Sequence, residues 1–156
     1  MARVCVDACF LIGLYDKDDQ HHVSALRHFD ALFGEDSARH QLIVPWPILY
    51  ETLNTRLAKN ALKSAILSQH WSYLSLSQRI VLLDDGPFRN QPLQEHLQER
   101  SRPLSLVDRV LRAMILDQEK WFDVLVTFNT GDFADACQLS GIPLINERSS
   151  AESYGL

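Results

Sequence analysis

The sequence predicts an α/β sandwich built on a short, mainly parallel central sheet. Two observations carry that prediction. Short apolar runs with β-branched residues recur along the chain at Val4-Cys5-Val6, Leu42-Ile43-Val44, Ile80-Val81-Leu82-Leu83 and Val124-Leu125-Val126-Thr127, and they read as buried strands. Between them lie segments whose apolar residues recur at spacings of three and four, which is the helical period. Strand alternating with helix is the pattern of parallel pairing. A third observation concerns function: the first run closes on an acid, Asp7. In an open parallel sheet, ligands collect outside the carboxyl ends of the strands where chain order reverses. A central first strand therefore places Asp7 on the floor of that crevice.

The remaining elements follow in order. Ala8 to Tyr15 reads as a helix closing at Asp16-Lys17-Asp18-Asp19. Gln20 to Phe33 reads as an amphipathic helix stopped by Gly34. Pro45-Trp46-Pro47 opens a helix running to about Lys59, because proline is tolerated in a first turn. Ala61 to Ser75 is a further helix with Leu62, Ile66, Leu67, Trp71 and Leu74 on one side. After the strand at 80–83, Asp84-Asp85-Gly86-Pro87 is a turn, and Asn90 to Arg100 is a polar helix. Ser105 caps a helix that is apolar nearly all round, the mark of a buried element. Asp132 to Leu139 is the last helix, Gly141 its stop, and Ile142-Pro143-Leu144-Ile145 a final strand that Pro143 assigns to a sheet edge.

At 156 residues, 46% hydrophobic and 22% charged, the chain reads as one globular domain, 1–156. The net charge of −5, with His neutral, argues against a broad basic nucleic-acid surface. It leaves room for an acidic pocket that holds divalent cations. Cys5, Cys9 and Cys137 form no C-x-x-C pair, so free thiols in a reducing cytoplasm are expected. Asp7 interrupts the first apolar run, so no signal segment is expected. No run approaches the ~20 residues that span a bilayer, so no membrane contact is expected either.

The acids divide by position. Asp7 ends a buried strand, and a buried carboxylate needs a partner or a metal; capping of the following helix is the plainer alternative. Glu51 stands on the helix after Pro45, opposite Leu49, Leu53 and Leu57, on a face with Asn54, Thr55 and Ala58; a solvent-facing role is its alternative. Asp108 interrupts an otherwise buried helix near the N-terminus, where the dipole favours an anion; an ion pair with Arg112 is its alternative. Asp117 lies about 180° around that helix and Glu119 roughly 16 Å along it, so neither shares a metal with Asp108. Thr127, Asn129 and Asp132 begin at a strand's carboxyl end, on the same edge as Asp7; a capped polar turn is the alternative there. Asp16, Asp18, Asp19, Asp84 and Asp85 read as solvated loop acids, and His21 and His22 as capping or surface groups. Carboxylates gathered at one edge repel unless a cation neutralises them. Oxygen donors suit Mg²⁺ or Mn²⁺, and no His or Cys has zinc spacing.

In these motifs the chain resembles the PIN-domain ribonucleases, and within them the toxins of VapC-type toxin–antitoxin modules. The resemblance rests on Val4-Cys5-Val6-Asp7 with its apolar helix, Glu51 in Ile48-Leu49-Tyr50-Glu51, Asp108 in Ser105-Leu106-Val107-Asp108, and Thr127 through Phe133. Asn129 departs from it, since many members carry Asp there. The resemblance implies a PIN-like three-layer α/β/α sandwich and Mg²⁺-dependent endonucleolytic cleavage of RNA, with Mn²⁺ able to substitute. It implies catalysis by Asp7, Glu51, Asp108 and Asp132, with the metal on Asp7, Asp108 and Asp132. Thr127, Asn129 and Arg112 would position water or phosphate, with Arg109 a further candidate. An antitoxin and a second copy of the chain are the expected protein partners.

Other readings are weaker. A phospho-accepting receiver domain needs a Lys beyond the last strand, and none follows Ile142. Neither G-x-x-x-x-G-K nor G-x-G-x-x-G is present, which removes nucleotide-cradling loops. A non-catalytic PIN fold serving as an interaction module, through helices around Trp46, Trp71 and Trp121, is the main alternative.

Overall fold

A computed structural model describes residues 1–34, 40–98 and 102–150. The strands are β1 (Arg3–Val6), β2 (Gln41–Pro45), β3 (Ile80–Leu83), β4 (Val124–Val126) and β5 (Leu144–Ile145). The helices are α1 (Ala8–Tyr15), α2 (His22–Phe33), α3 (Trp46–Leu53), α4 (Arg56–Lys59), α5 (Ala61–Leu76), α6 (Asn90–Gln98), α7 (Leu106–Leu116) and α8 (Thr130–Ser140).

The five strands form one sheet in the order β3-β2-β1-β4-β5, and each pairing is parallel. β1 is central, as its run of buried residues predicts, and β5 is an edge, as Pro143 predicts. Cys5 stands opposite Ile43 on one side and Leu125 on the other. From β1 the chain steps outward to β2 and β3, then returns to β4 on β1's other flank. Chain order therefore reverses between β1 and β4. Right-handed crossovers place the outgoing and returning helices on opposite faces. Helices α1, α2, α3 and α5 meet one another across one layer, and α6, α7 and α8 across the other. The result is a three-layer α/β/α sandwich. Its core runs from the sheet (Val4, Val6, Leu42, Val44, Leu125) into Phe10, Leu32, Ile48, Met114 and Phe133.

Several elements depart from the sequence pattern for physical reasons. The helix expected from Pro45 to Lys59 breaks in two, because the Thr55 hydroxyl donates to Thr52 O at 2.7 Å and accepts from Leu57 N at 3.2 Å. Such side chains compete with the helical ladder. On α5 only Leu74 is fully buried; Leu67 and Trp71 pack against the core, while Leu62 and Ile66 are exposed. Helix α7 is amphipathic instead of buried all round: Val110, Leu111, Met114 and Ile115 face inward while Leu106 and Leu116 are exposed. Residues 99 and 100 of the helix expected from Asn90 to Arg100 lie outside the described residues.

Two loop acids expected to be solvated are buried. Asp16 at the end of α1 is fully enclosed and ion-paired with Lys63 of α5, which also meets Asp18 at 3.0 Å. Asp85 receives Arg89 through two bonds of 2.8 Å each. Gly141 closes α8 at φ 70°, a left-handed conformation that glycine adopts without strain.

Candidate active site

The site lies at the carboxyl ends of β1 and β4, where chain order reverses. Asp7 is the first residue past β1, and its N–H donates to Val126 O at 3.1 Å, extending the ladder to the strand's end. It caps α1, the plainer of the two readings offered for it: Oδ1 accepts from Ala8 N at 2.6 Å. Oδ2 accepts from the Thr127 hydroxyl at 2.9 Å and the Cys9 thiol at 3.1 Å. The residue as a whole is only 4% exposed. Burial pushes its pKa up, the bonds from Cys9, Thr127 and Ala8 pull it down, and the charge of Asp108 adds to the rise.

Asp108 stands in the first turn of α7, which packs against α3, the helix of Glu51. Its Oδ2 accepts from the Ser105 hydroxyl at 2.6 Å and Ser105 N at 3.2 Å, while the Ser105 oxygen accepts from Asp108 N at 3.1 Å. This reciprocal capping box satisfies helix-end donors and sets the orientation of the acid. Glu51 lines a groove of about 1030 Å³ together with Tyr50, Leu53, Arg89, Leu93 and Val107. Burial, then the charges of Asp7 and Asp108, push its carboxyl up to about 7. Three acids from separate parts of the chain are thus electrostatically linked: Asp108 acts on Asp7, and both act on Glu51.

The turn after β4 completes the edge. Thr127 is fully buried and its oxygen accepts from Asn129 N at 3.0 Å. Asn129 Nδ2 donates to Asp132 Oδ2 at 2.5 Å, so Asn129 spends its amide on the acid beside it.

No protein-family model and no curated protein matches the chain. Solved structures do. Mycobacterium tuberculosis VapC20, described as a sarcin-ricin loop cleaving toxin, aligns with a TM-score of 0.63 at 18% identity, over 85% of this chain and 94% of that one. The fold is that of the VapC proteins. A chain of VapBC2 from Rickettsia felis, solved bound to a promoter DNA fragment, aligns with a TM-score of 0.54 at 16% identity over 92% and 97% of the two chains. A chain of DNA-bound VapBC from Salmonella typhimurium aligns with a TM-score of 0.55 at 15% identity over 94% and 99%. The PIN-like sandwich implied by the resemblance is the architecture observed.

The structure changes the parts assigned to several residues. Arg112 does not pair with Asp108. It grips Asp135 of α8 at 2.6 and 2.8 Å and donates to Asp132 O at 2.5 Å, so it ties α8 to α7 and does not reach for substrate. Arg109 is buried and donates to Arg102 O at 3.0 Å, which removes it as a phosphate contact. Thr127, enclosed as it is, supports Asp7 and cannot touch substrate. His21 makes no side-chain cap; it stacks on Phe128 with centroids 4.7 Å apart, and His22 meets Gly13 O at 2.7 Å. Cys9 is the site residue that sequence reasoning missed. Its position two residues after Asp7, in the first helical turn, is the signal that it could reach the carboxylate.

Among the described residues, no three His, Cys, Asp or Glu side chains are drawn together to hold an ion as they stand. Asp7, Asp108 and Asp132 are therefore not a preformed cage. The donor chemistry nonetheless fits a hard divalent cation. Carboxylate oxygens are the donors such an ion takes, and it would offset the repulsion that Asp108 exerts on Asp7 and that both exert on Glu51.

Proposed function

We propose that this chain is a Mg²⁺-dependent endoribonuclease, Mn²⁺ substituting, that works as the toxin of a toxin–antitoxin pair and as a homodimer in the cytoplasm. One observation carries the reading: at the sheet's switch point the charge of Asp108 raises the proton affinity of Asp7, and the charges of Asp7 and Asp108 raise that of Glu51. Asp7 and Asp108 would hold the ion, with Asp132 on the adjoining turn. A bound Mg²⁺ supplies Lewis acidity at a phosphoryl oxygen and lowers the pKa of a water. Glu51, pushed to about 7, is suited to accept the proton of the attacking water near neutrality. Asn129, exposed at the turn, would orient water through its side-chain carbonyl oxygen, its amide N–H being held by Asp132.

The apolar groove beside Glu51 supports a second partner. An antitoxin segment lying on Tyr50, Leu53, Leu93 and Val107 would cover the site, so inhibition and catalysis would share one edge. Should the acids prove idle, that groove favours the alternative of a non-catalytic interaction module.

The test is RNA cleavage by wild type, Asp7→Asn and Asp108→Asn, with and without EDTA. Chelation is expected to stop the reaction. Each variant is expected to lose more than about 100-fold, beyond what removing a supporting partner costs, while keeping a cooperative melt. Full activity in either folded variant, or in EDTA, removes the proposal.

A further inference from the structure

We propose that Cys9 and Thr127 form a two-donor clamp on one oxygen of Asp7 and act as positioning residues for its ion. The inference rests on the metal reading above and deepens it.

The two side chains come from opposite ends of the chain and meet at one atom. The Cys9 thiol and the Thr127 hydroxyl both donate to Asp7 Oδ2, at 3.1 and 2.9 Å. Their own sulfur and oxygen are 3.5 Å apart. A thiol or hydroxyl has a single hydrogen to give. With that hydrogen spent on Asp7, each group keeps its lone pairs for the turn after β4. The structure uses them so: Phe128 N donates to Cys9 Sγ at 3.3 Å and Asn129 N donates to Thr127 Oγ1 at 3.0 Å.

Every bond in this set runs one way, from turn N–H through thiol or hydroxyl to carboxylate. Together with the Ala8 N–H on Oδ1 at 2.6 Å, the clamp grips the carboxylate at both oxygens and denies it free rotation. It also fastens the first turn of α1 to the turn that carries Asn129 and Asp132. Cys9 and Thr127 therefore set the aim of Asp7 and the approach of that turn at once. Supporting groups of this kind change metal affinity by about 10–100-fold when removed.

The alternative for Cys9 is a small apolar filler, and substitutions separate the two. Cys9→Ser keeps a donor and an acceptor, whereas Cys9→Ala removes both. Thr127→Val keeps the shape and loses the hydroxyl. The measurement is Mn²⁺ binding, followed by the EPR signal of free Mn²⁺, on these variants, Asp7→Asn and wild type, with melts to confirm folding. Cys9→Ala and Thr127→Val are expected to weaken Mn²⁺ by about 10-fold or more, while Cys9→Ser stays close to wild type. Wild-type affinity in Cys9→Ala, or equal losses in Cys9→Ser and Cys9→Ala, overturns the clamp. If Cys9→Ala does not fold, Cys9→Ser and Thr127→Val decide. Undiminished binding by Asp7→Asn, or none by wild type, overturns the metal reading itself.

Discussion

Glu51 shows how much of a residue's chemistry its neighbours decide. Its carboxyl is pushed up to about 7, first by burial and then by Asp7 and Asp108. An unfolded glutamate titrates near ~4.3, so between these values the folded chain binds more protons than the unfolded one. Stability then falls as pH rises, and the contribution of the protonated form is lost as pH passes about 7. The melting temperature of the metal-free protein should drop between pH 5 and 8, by less than the full shift implies because water screens a partly exposed group. Glu51→Gln should flatten part of that drop; a melting temperature that climbs over this window, or an unchanged slope in the variant, contradicts the assignment. Asp7 and Asp108 were legible in the sequence because each interrupts an apolar pattern. The clamp on Asp7 was not, because Cys9 reads as a buried thiol and Thr127 as a polar turn until β1 and β4 lie side by side.

Helix α7 gathers several of these functions on one element. Ser105 and Asp108 start it with a capping box, and one turn on Arg112 grips Asp135. Arg102 joins from the preceding segment at 3.0 Å, and the bonds from these two arginines hold the Asp135 carboxyl far below the usual carboxylate range. Arg112 also donates to Asp132 O, so the pair fixes where the acidic turn sits. Arg112→Ala should cost about 0.5–1 kcal/mol, as expected of a partly exposed pair, or about 1–4 °C in melting temperature. Arg112→Lys should recover only part, since lysine lacks the planar fork. Unchanged melting in Arg112→Ala would show that the clamp is decorative. The start at Ser105 and the stop at Gly141 could be read locally, since both depend on a few adjacent residues. The break between α3 and α4 could not, because the apolar spacing runs through it.

Helix α5 carries an uncovered apolar stripe. Leu62, Ile66, Tyr73 and Leu76 are 68%, 49%, 54% and 87% exposed, and at about 100° per residue they fall on one face of α5. Exposed apolar stripes favour association, and this one is a place to test the proposed homodimer. Sedimentation should give a dimer for wild type and a monomer for Ile66→Glu with Leu76→Glu; an unchanged dimer places the interface elsewhere. Strand and helix types, the central place of β1, the edge position of β5 and the acids at the strand ends were all present in the sequence. Each is encoded within a few residues, as a period, a cap or a break in apolar spacing. The choice of partner for each charge was decided only by the tertiary structure. Arg112 found Asp135 in place of Asp108, Lys63 found Asp16, and Thr127 reached back to Asp7 across the sheet. Such pairs join residues far apart in the chain, and they form only after the strand order and the crossovers have brought the elements together.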